Sequence, residues 1–492
     1  MSLEHAVIAA NRFGYGARPG ELRAIAGDPR GWVKAQLTPE RAPPAPLAAL
    51  PPAEDDVLAF GRFYVSQRLN GPNGERLRDR LEKQGVPRDQ MQPVEAAFRE
   101  HFRARYETAT KARLDAAIAT DRPAFERLAH FWANHFTVSA QKPQAAALPA
   151  SFEREAIRPH VTGRFETMLL AAAKHPGMTI YLDNWQSIGP NSVWAKTPRA
   201  MPRFAGFGPG GRPTGLNENL AREILELHAL GADGGYAQAD VQALAAILTG
   251  WTYDRPPPRL YFSEERGKRD GAQLFRFEPD AHEPGAKTFL GKTYPPADVG
   301  QGDAALRDIA RHPAAARFLA AKLTRHYIAD APPPAAVARV AQTFTRTGGD
   351  LAACVGAIVD SPETWAQPFA KFKRPEEYLI SALRALGGAP PGPGVGAAAC
   401  AAMGQRLYAA PGPDGWADVA APWLTGDLVW KRIEWAEAVA ARVSRSDIDP
   451  LAVGEAAQGP LLSAETREAV RRAESPRQGM VILLSSPEFQ RR

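Results

Sequence analysis

A chain of 492 residues is too long for one ordinary hydrophobic core and points to two or three packed units. With 45% hydrophobic and 23% charged residues and no apolar run approaching about 18 residues, the composition argues against both disorder and a membrane-spanning helix. The formal charge of +6 comes from 60 basic and 54 acidic residues scattered along the chain, which predicts no nucleic-acid partner. Cys354 and Cys400 lie in Ala-rich surroundings without metal-ligand spacing and read as small buried hydrophobes. Met1-Ser2-Leu3-Glu4-His5 lacks a basic stretch followed by an apolar one, so the expectation is no export signal of its own and a cytoplasmic address by default.

In chain order, residues 4–37 read as a helix, a turn forced by Gly14 and Gly16, and a second short helix. A Pro-rich connector over 38–52 leads to charged helices over 55–118. Asp121-Arg122-Pro123 starts a helix with an acidic cap and a first-turn proline, predicted to run to about Val138. Helix resumes over 152–174 and 178–185, followed by a Gly-, Pro- and Arg-rich loop over 186–215, long enough to suggest function. Residues 217–230 and 238–253 form a helix hairpin around the 233–235 turn. Period-two alternation occurs over 259–262 and 274–277, and the remainder is helical. The expected fold is therefore mainly α, multi-helical, with one small β-hairpin region around 259–277. Its expected divisions are an N-terminal region (1–118), a central core carrying the site (119–386) and a C-terminal region (387–492).

At about 100° per residue, Phe125, Leu128, Ala129, Trp132 and Phe136 share one face of the helix that starts at Pro123, while Arg127, His130 and Asn134 share the opposite face. His130 and Asn134 can point at one object, whereas His135 lies about 140° from His130, so the pair is no ready-made chelate; the alternative is that His135 packs at the edge of the aromatic face and His130 caps a neighbouring carbonyl. In the next polar helix, Asn219, Arg222, Glu223 and Glu226 cluster on one side, and Asn217, Ile224 and His228 line the other. Two polar faces predict a helix enclosed by protein. Glu223 and Glu226 read either as a carboxylate pair for acid–base or cation chemistry, or as partners of Arg222 and Arg325 in a structural network with Asn217 as a cap. His175, His312 and His326 are scattered. His282 sits with Lys287 in a non-helical loop, where a scaffold can aim side chains at a site. No His-Glu-x-x-His, Gly-x-Ser-x-Gly, Walker loop or dinucleotide-binding fingerprint is present.

Several segments carry a resemblance. They are Asn11-Arg12-Phe13-Gly14-Tyr15-Gly16, His130-Phe131-Trp132-Ala133-Asn134-His135-Phe136, His175-Pro176 to Asp183-Asn184, Asn217-Glu218-Asn219 through Arg222-Glu223 to Glu226-Leu227-His228, and Gly234-Gly235-Tyr236. Leu248-Thr249-Gly250-Trp251, Lys287-Thr288-Phe289-Leu290-Gly291, His312-Pro313 and Ser486-Pro487-Glu488-Phe489 follow in order. In these the chain resembles the bacterial family known as domain of unknown function 1800, over nearly its whole length. It departs at Ala237, where a threonine cap is expected, and at Glu283, where aspartate is expected after His282. The resemblance implies export alongside a sulfatase-like partner, and hence a periplasmic address by co-export.

The leading expectation is an enzyme, metal-assisted, hydrolytic or redox, with His130, Asn134, Arg222, Glu223 and Glu226 as catalytic residues. A divalent metal ion is expected on Glu223, Glu226 and His130, with Asn217, Asn219, His228, His282 and Lys287 contributing binding groups. One rival is a non-catalytic assembly protein of the sulfatase-like partner, its polar centre purely structural. Another is a polysaccharide scaffold using Trp185, Trp194 and 204–207.

Overall fold

The computed structural model describes residues 2–91, 95–197, 216–254, 274–389, 391–392, 394–443 and 448–492. They form a mainly helical protein with two small antiparallel two-stranded sheets. Trp251–Tyr253 pairs with Phe275–Phe277, and Lys287–Phe289 pairs with Lys292–Tyr294. The expected strand over 259–262 lies outside the described residues. The partner of Phe275–Phe277 is instead a stretch read from the sequence as the end of a helix. That helix, Gln238–Ile247, stops early because Gly250 turns the chain at φ +80, where a side chain would meet the Glu278 carbonyl at 2.5 Å. The aromatic and β-branched residues beyond it then pair as a strand.

The Pro123–His135 helix begins with proline in its first turn, but its cap residue is Arg122 and not the expected Asp121. Asp121 instead accepts a hydrogen bond from Arg18 at 2.8 Å. Phe125, Leu128, Ala129 and Trp132 enter the main apolar core, and Glu126, Arg127 and His130 on the other side are equally buried. The helix is enclosed nearly all round, so its polar face has to be satisfied by protein groups.

The polar segment after residue 217 behaves otherwise. It is α-helical over Asn219–Glu223 and continues as a wider π-turn over Ile224–Ala229. Leu220, Ala221, Ile224, Leu225 and His228 are buried, Arg222, Glu223 and Glu226 are half-buried, and Asn219 is exposed. Enclosure on two polar faces is thus corrected: one apolar stripe holds this helix, with His228 inside it and the charges toward solvent.

The main apolar core runs from Ala6 to Trp365, and a second is built from Tyr378 to Phe489. An ionic layer ties the segments near their seam. Glu377, in the first turn of the Pro375–Ala385 helix, lies between Arg127 at 2.6 Å, Arg492 at 3.2 Å and Arg374 at 3.4 Å. Burial by itself would raise the Glu377 carboxyl, yet Arg492, Arg127 and Arg374 together pull it well below the usual range. Arg127 also donates to the Gly14 carbonyl and Arg492 to the His326 carbonyl, so one carboxylate anchors five stretches of chain. Removing one partner of such a buried set leaves uncompensated charge. Glu377→Gln is therefore expected to destabilise the fold by about 3–5 kcal/mol, read as a lowered urea midpoint.

Candidate functional site

The side chain of Asn134 clamps a loop. Its amide N–H donates to the Trp416 carbonyl at 2.9 Å, and its oxygen accepts the Trp416 N–H at 2.8 Å. Gly415 permits this approach: at φ +79, a side chain there would meet the Asn134 carbonyl at 2.4 Å. The clamp lays residues 414–419 against the Pro123–His135 and Pro313–Tyr327 helices and encloses a cavity of about 210 Å³. Its wall carries His135, Lys322, Arg325, His326, Arg374, Asp414 and Asp418, with Phe131 and Trp416.

The hydrogen bonds around this cavity leave reactive atoms free. His135 is buried; its Nε2–H donates to the His228 carbonyl at 2.8 Å, and its Nδ1 has no partner. His326 is also buried; its Nδ1 meets Asp418 Oδ2 at 2.9 Å, and its Nε2 has no partner. Burial, with Asp418 opposing it, pushes His326 down to about 4, and burial followed by Lys322 and His228 holds His135 well below its usual value. Both rings are neutral at pH 7, each fixed by one nitrogen and presenting a lone pair on the other. The Lys322 amine makes no hydrogen bond or ion pair among the described residues and lies 5.5 Å from the Phe318 ring. Burial brings it down to about 8, with Asp418 pulling the other way. Arg374 Nε is buried without an acceptor.

Behind this cavity, His130 stands in a second, ion-rich layer. Its Nδ1 faces the Tyr15 hydroxyl at 2.6 Å and Glu376 at 3.7 Å, and its Nε2 lies 3.3 Å from Glu126 Oε1. Apart from that contact, Nε2 is buried and makes no hydrogen bond. Arg158 clasps both oxygens of Glu126 at 2.8 Å, and Arg113 bridges Glu153 and Glu376. Burial tends to raise Glu376, but Arg113 and His130 outweigh it and bring the carboxyl down to about 2. A small space of about 40 Å³, lined by Arg113, His130, Asn134, Arg374 and Glu376 among others, separates this layer from the larger cavity.

A model of the family described as "Protein of unknown function (DUF1800)" matches residues 8–491. The chain belongs to the DUF1800 family. No curated protein and no solved structure matches it. In this DUF1800 chain the early Asn-Arg-Phe-Gly-Tyr-Gly segment supports the polar layers: Tyr15 meets His130, and the Gly14 and Gly16 carbonyls receive Arg127 and Arg384.

The other residues singled out from the sequence take different places. His130 groups with Glu126 and Glu153, and among the described residues it forms no such group with Glu223 and Glu226. Arg222 pairs with Glu218 at 2.8 Å and with Gln238 near the surface. Glu223 is raised by burial and then by Glu226 and Asp414, which relates it to the cavity wall through Asp414. Asn217 accepts the Asn219 N–H at 2.9 Å, a local turn contact. His228 is buried, down to about 3, and supplies the carbonyl that fixes His135. His282 and Lys287 do meet, at 3.2 Å, but in a separate cluster with Thr249 and Gln301. The Glu283 carboxylate is occupied by Asn191 at 2.8 Å. Trp185 and Trp194 are buried and form no surface row, and residues 204–207 lie outside the described residues.

Sequence reasoning missed Tyr15, Glu126, Glu153, Glu376, Lys322, Asp414 and Asp418. A signal existed for two groups: Glu126 lies one helical turn before His130, and Lys322, Arg325 and His326 share a face at i, i+3, i+4. None existed for the loop, which lies 282 residues beyond Asn134.

Two outcomes follow for this site. Gly415→Ala should displace the loop and lower stability by roughly 1–3 kcal/mol, comparable to leaving the Asn134 amide unsatisfied, as read by urea unfolding. His135, His228 and His326 bind protons more weakly folded than unfolded. Their stabilising contribution is complete above the ordinary histidine value of 6.5 and is lost as pH falls toward about 4 and then about 3. Urea midpoints measured across that window should decline steadily on acidification.

Proposed function

We propose that the protein is a hydrolase of small esters, working in the cavity between the Pro123–His135 and Pro313–Tyr327 helices and the 414–419 loop. One observation carries this reading. Two neutral histidines, each with one buried ring nitrogen that makes no hydrogen bond, and a lysine amine without a carboxylate partner line a single cavity. A solvated structural network would have paired them. The volume of about 210 Å³ is below the roughly 300–1,000 Å³ of pockets for drug-sized ligands, so it suits a small molecule or the end of a larger one.

In the reaction, neutral Lys322 takes a proton from water as the water oxygen attacks the electrophilic centre of the ester. The bond to the alcohol oxygen then breaks, and that oxygen receives the same proton back from the Lys322 ammonium, giving acid and alcohol. The Arg374 Nε–H offers a hydrogen bond to the developing oxyanion. His326, oriented by Asp418, and His135 accept hydrogen bonds from the water or from substrate hydroxyls. Asn134 acts as a positioning residue through the loop it clamps.

Because Lys322 serves as a base, activity should rise with pH to a plateau above about 8, and it should vanish on the acid side as His326 protonates near about 4. Turnover of p-nitrophenyl acetate, phosphate and sulfate by the folded protein is the assay. Lys322→Met is expected to cost roughly 10²–10⁴-fold. Equal turnover by wild type and Lys322→Met would overturn the reading and leave the cavity as part of an assembly protein, for which co-purification with a sulfatase-like partner is the measurement.

A further inference from the structure

The ion-rich layer behind the cavity contains a buried cluster of ligand atoms that the hydrolase reading does not use. Four carboxylates, Glu40, Glu126, Glu153 and Glu376, are held by two guanidiniums. Arg158 pairs with Glu40, Glu126 and Glu153, and Arg113 pairs with Glu153 and Glu376. Within this set carboxylates outnumber guanidiniums, and the neighbouring Arg374, which also pairs with Glu377 beside Arg127 and Arg492, supplies positive charge to Glu376; the side chains of Glu126, Glu153 and Glu376 are 1–4% exposed.

Two ligand atoms in the same layer have only ion-pair contacts, His130 Nε2 with Glu126 at 3.3 Å and Glu153 Oε1 with Arg158 at 3.6 Å. His130 Nε2 and Glu153 Oε1 are buried and make no hydrogen bond. The ligand atoms of Glu126, His130 and Glu153 all lie within 4.8 Å of one another. Bonds of about 2.0–2.2 Å to a common ion place tetrahedral ligand atoms about 3.4 Å apart, so the side chains would close in by up to about 1.4 Å on binding.

We propose that Glu126, His130 and Glu153 bind a divalent transition-metal ion of the zinc or manganese type. One imidazole nitrogen and two carboxylate oxygens form a mixed donor set of the hardness both ions accept. Ligation through Nε2 requires the proton of His130 on Nδ1, and that nitrogen already faces the Tyr15 oxygen at 2.6 Å, with Glu376 beyond it. A hydrogen-bonded second nitrogen of this kind is what fixes the tautomer of a ligating histidine. Glu126 would turn one oxygen away from Arg158 and keep the other, since Arg158 holds both at 2.8 Å. His130 also lines the adjoining space of about 40 Å³, which has room for a water.

The test is independent of any catalytic assay. Protein purified without chelator should contain about one equivalent of zinc or manganese, and X-ray absorption should show nitrogen and oxygen neighbours without sulfur. After dialysis against EDTA, adding Zn²⁺ or Mn²⁺ alone should raise Tm by several degrees. Glu153→Gln and His130→Gln should abolish both the bound metal and the Tm response. If neither variant folds, the wild-type measurements decide alone. Sub-stoichiometric metal together with a Tm that neither ion moves would overturn the proposal and identify the layer as an ion-pair network only.

Discussion

The structure depends on one constraint: the Pro123–His135 helix carries charge on a face with no access to water. Glu126, Arg127 and His130 are each about 1% exposed, and burial of that kind is tolerated only when every charge finds its counterpart inside the protein. The counterparts come from far along the chain, namely Glu377 for Arg127, Arg158 for Glu126 and Tyr15 for His130. This requirement draws the N-terminal turn, the Pro375–Ala385 helix and the residues around 490 onto one element.

The same helix divides two kinds of polar environment. On its inner side, carboxylates and guanidiniums are closely interlocked. Toward its C-terminal end, Asn134 spends both amide atoms on the 414–419 loop, and the cavity so enclosed holds groups that are fixed in position yet incompletely hydrogen-bonded. His135 and His326 show how this is achieved: the His228 carbonyl and the Asp418 carboxylate each engage one ring nitrogen, and the other is buried without a hydrogen bond. A rigid scaffold with unsatisfied groups aimed at one space is the physical condition for chemistry, whereas a fully paired network provides only cohesion.

Membership of the DUF1800 family, the mainly helical fold and the position of the central helix were legible in the sequence because each rests on local signals: ordered motifs, a 3.6-residue apolar period and a proline in the first turn. The two-faced character of 217–230 was misread because periodicity gives a residue's direction on a helix and not what lies in that direction. The π-turn at Ile224–Ala229 further changes which residues face inward. The strand Trp251–Tyr253 was hidden behind a helix-like pattern that only the Gly250 turn ends.

By itself, the sequence determined the helices, the family and the presence of His130, Asn134 and His135 on one polar segment, since residues within a few turns meet whatever else the chain does. Tertiary structure decided the rest: that Asn134 holds a loop, that His130 faces Glu126 and Glu153, and that Lys322 and His326 share a space with His135. Those contacts join positions tens to hundreds of residues apart, and no local preference specifies them. They are set by where buried charges and apolar faces can be satisfied at the same time.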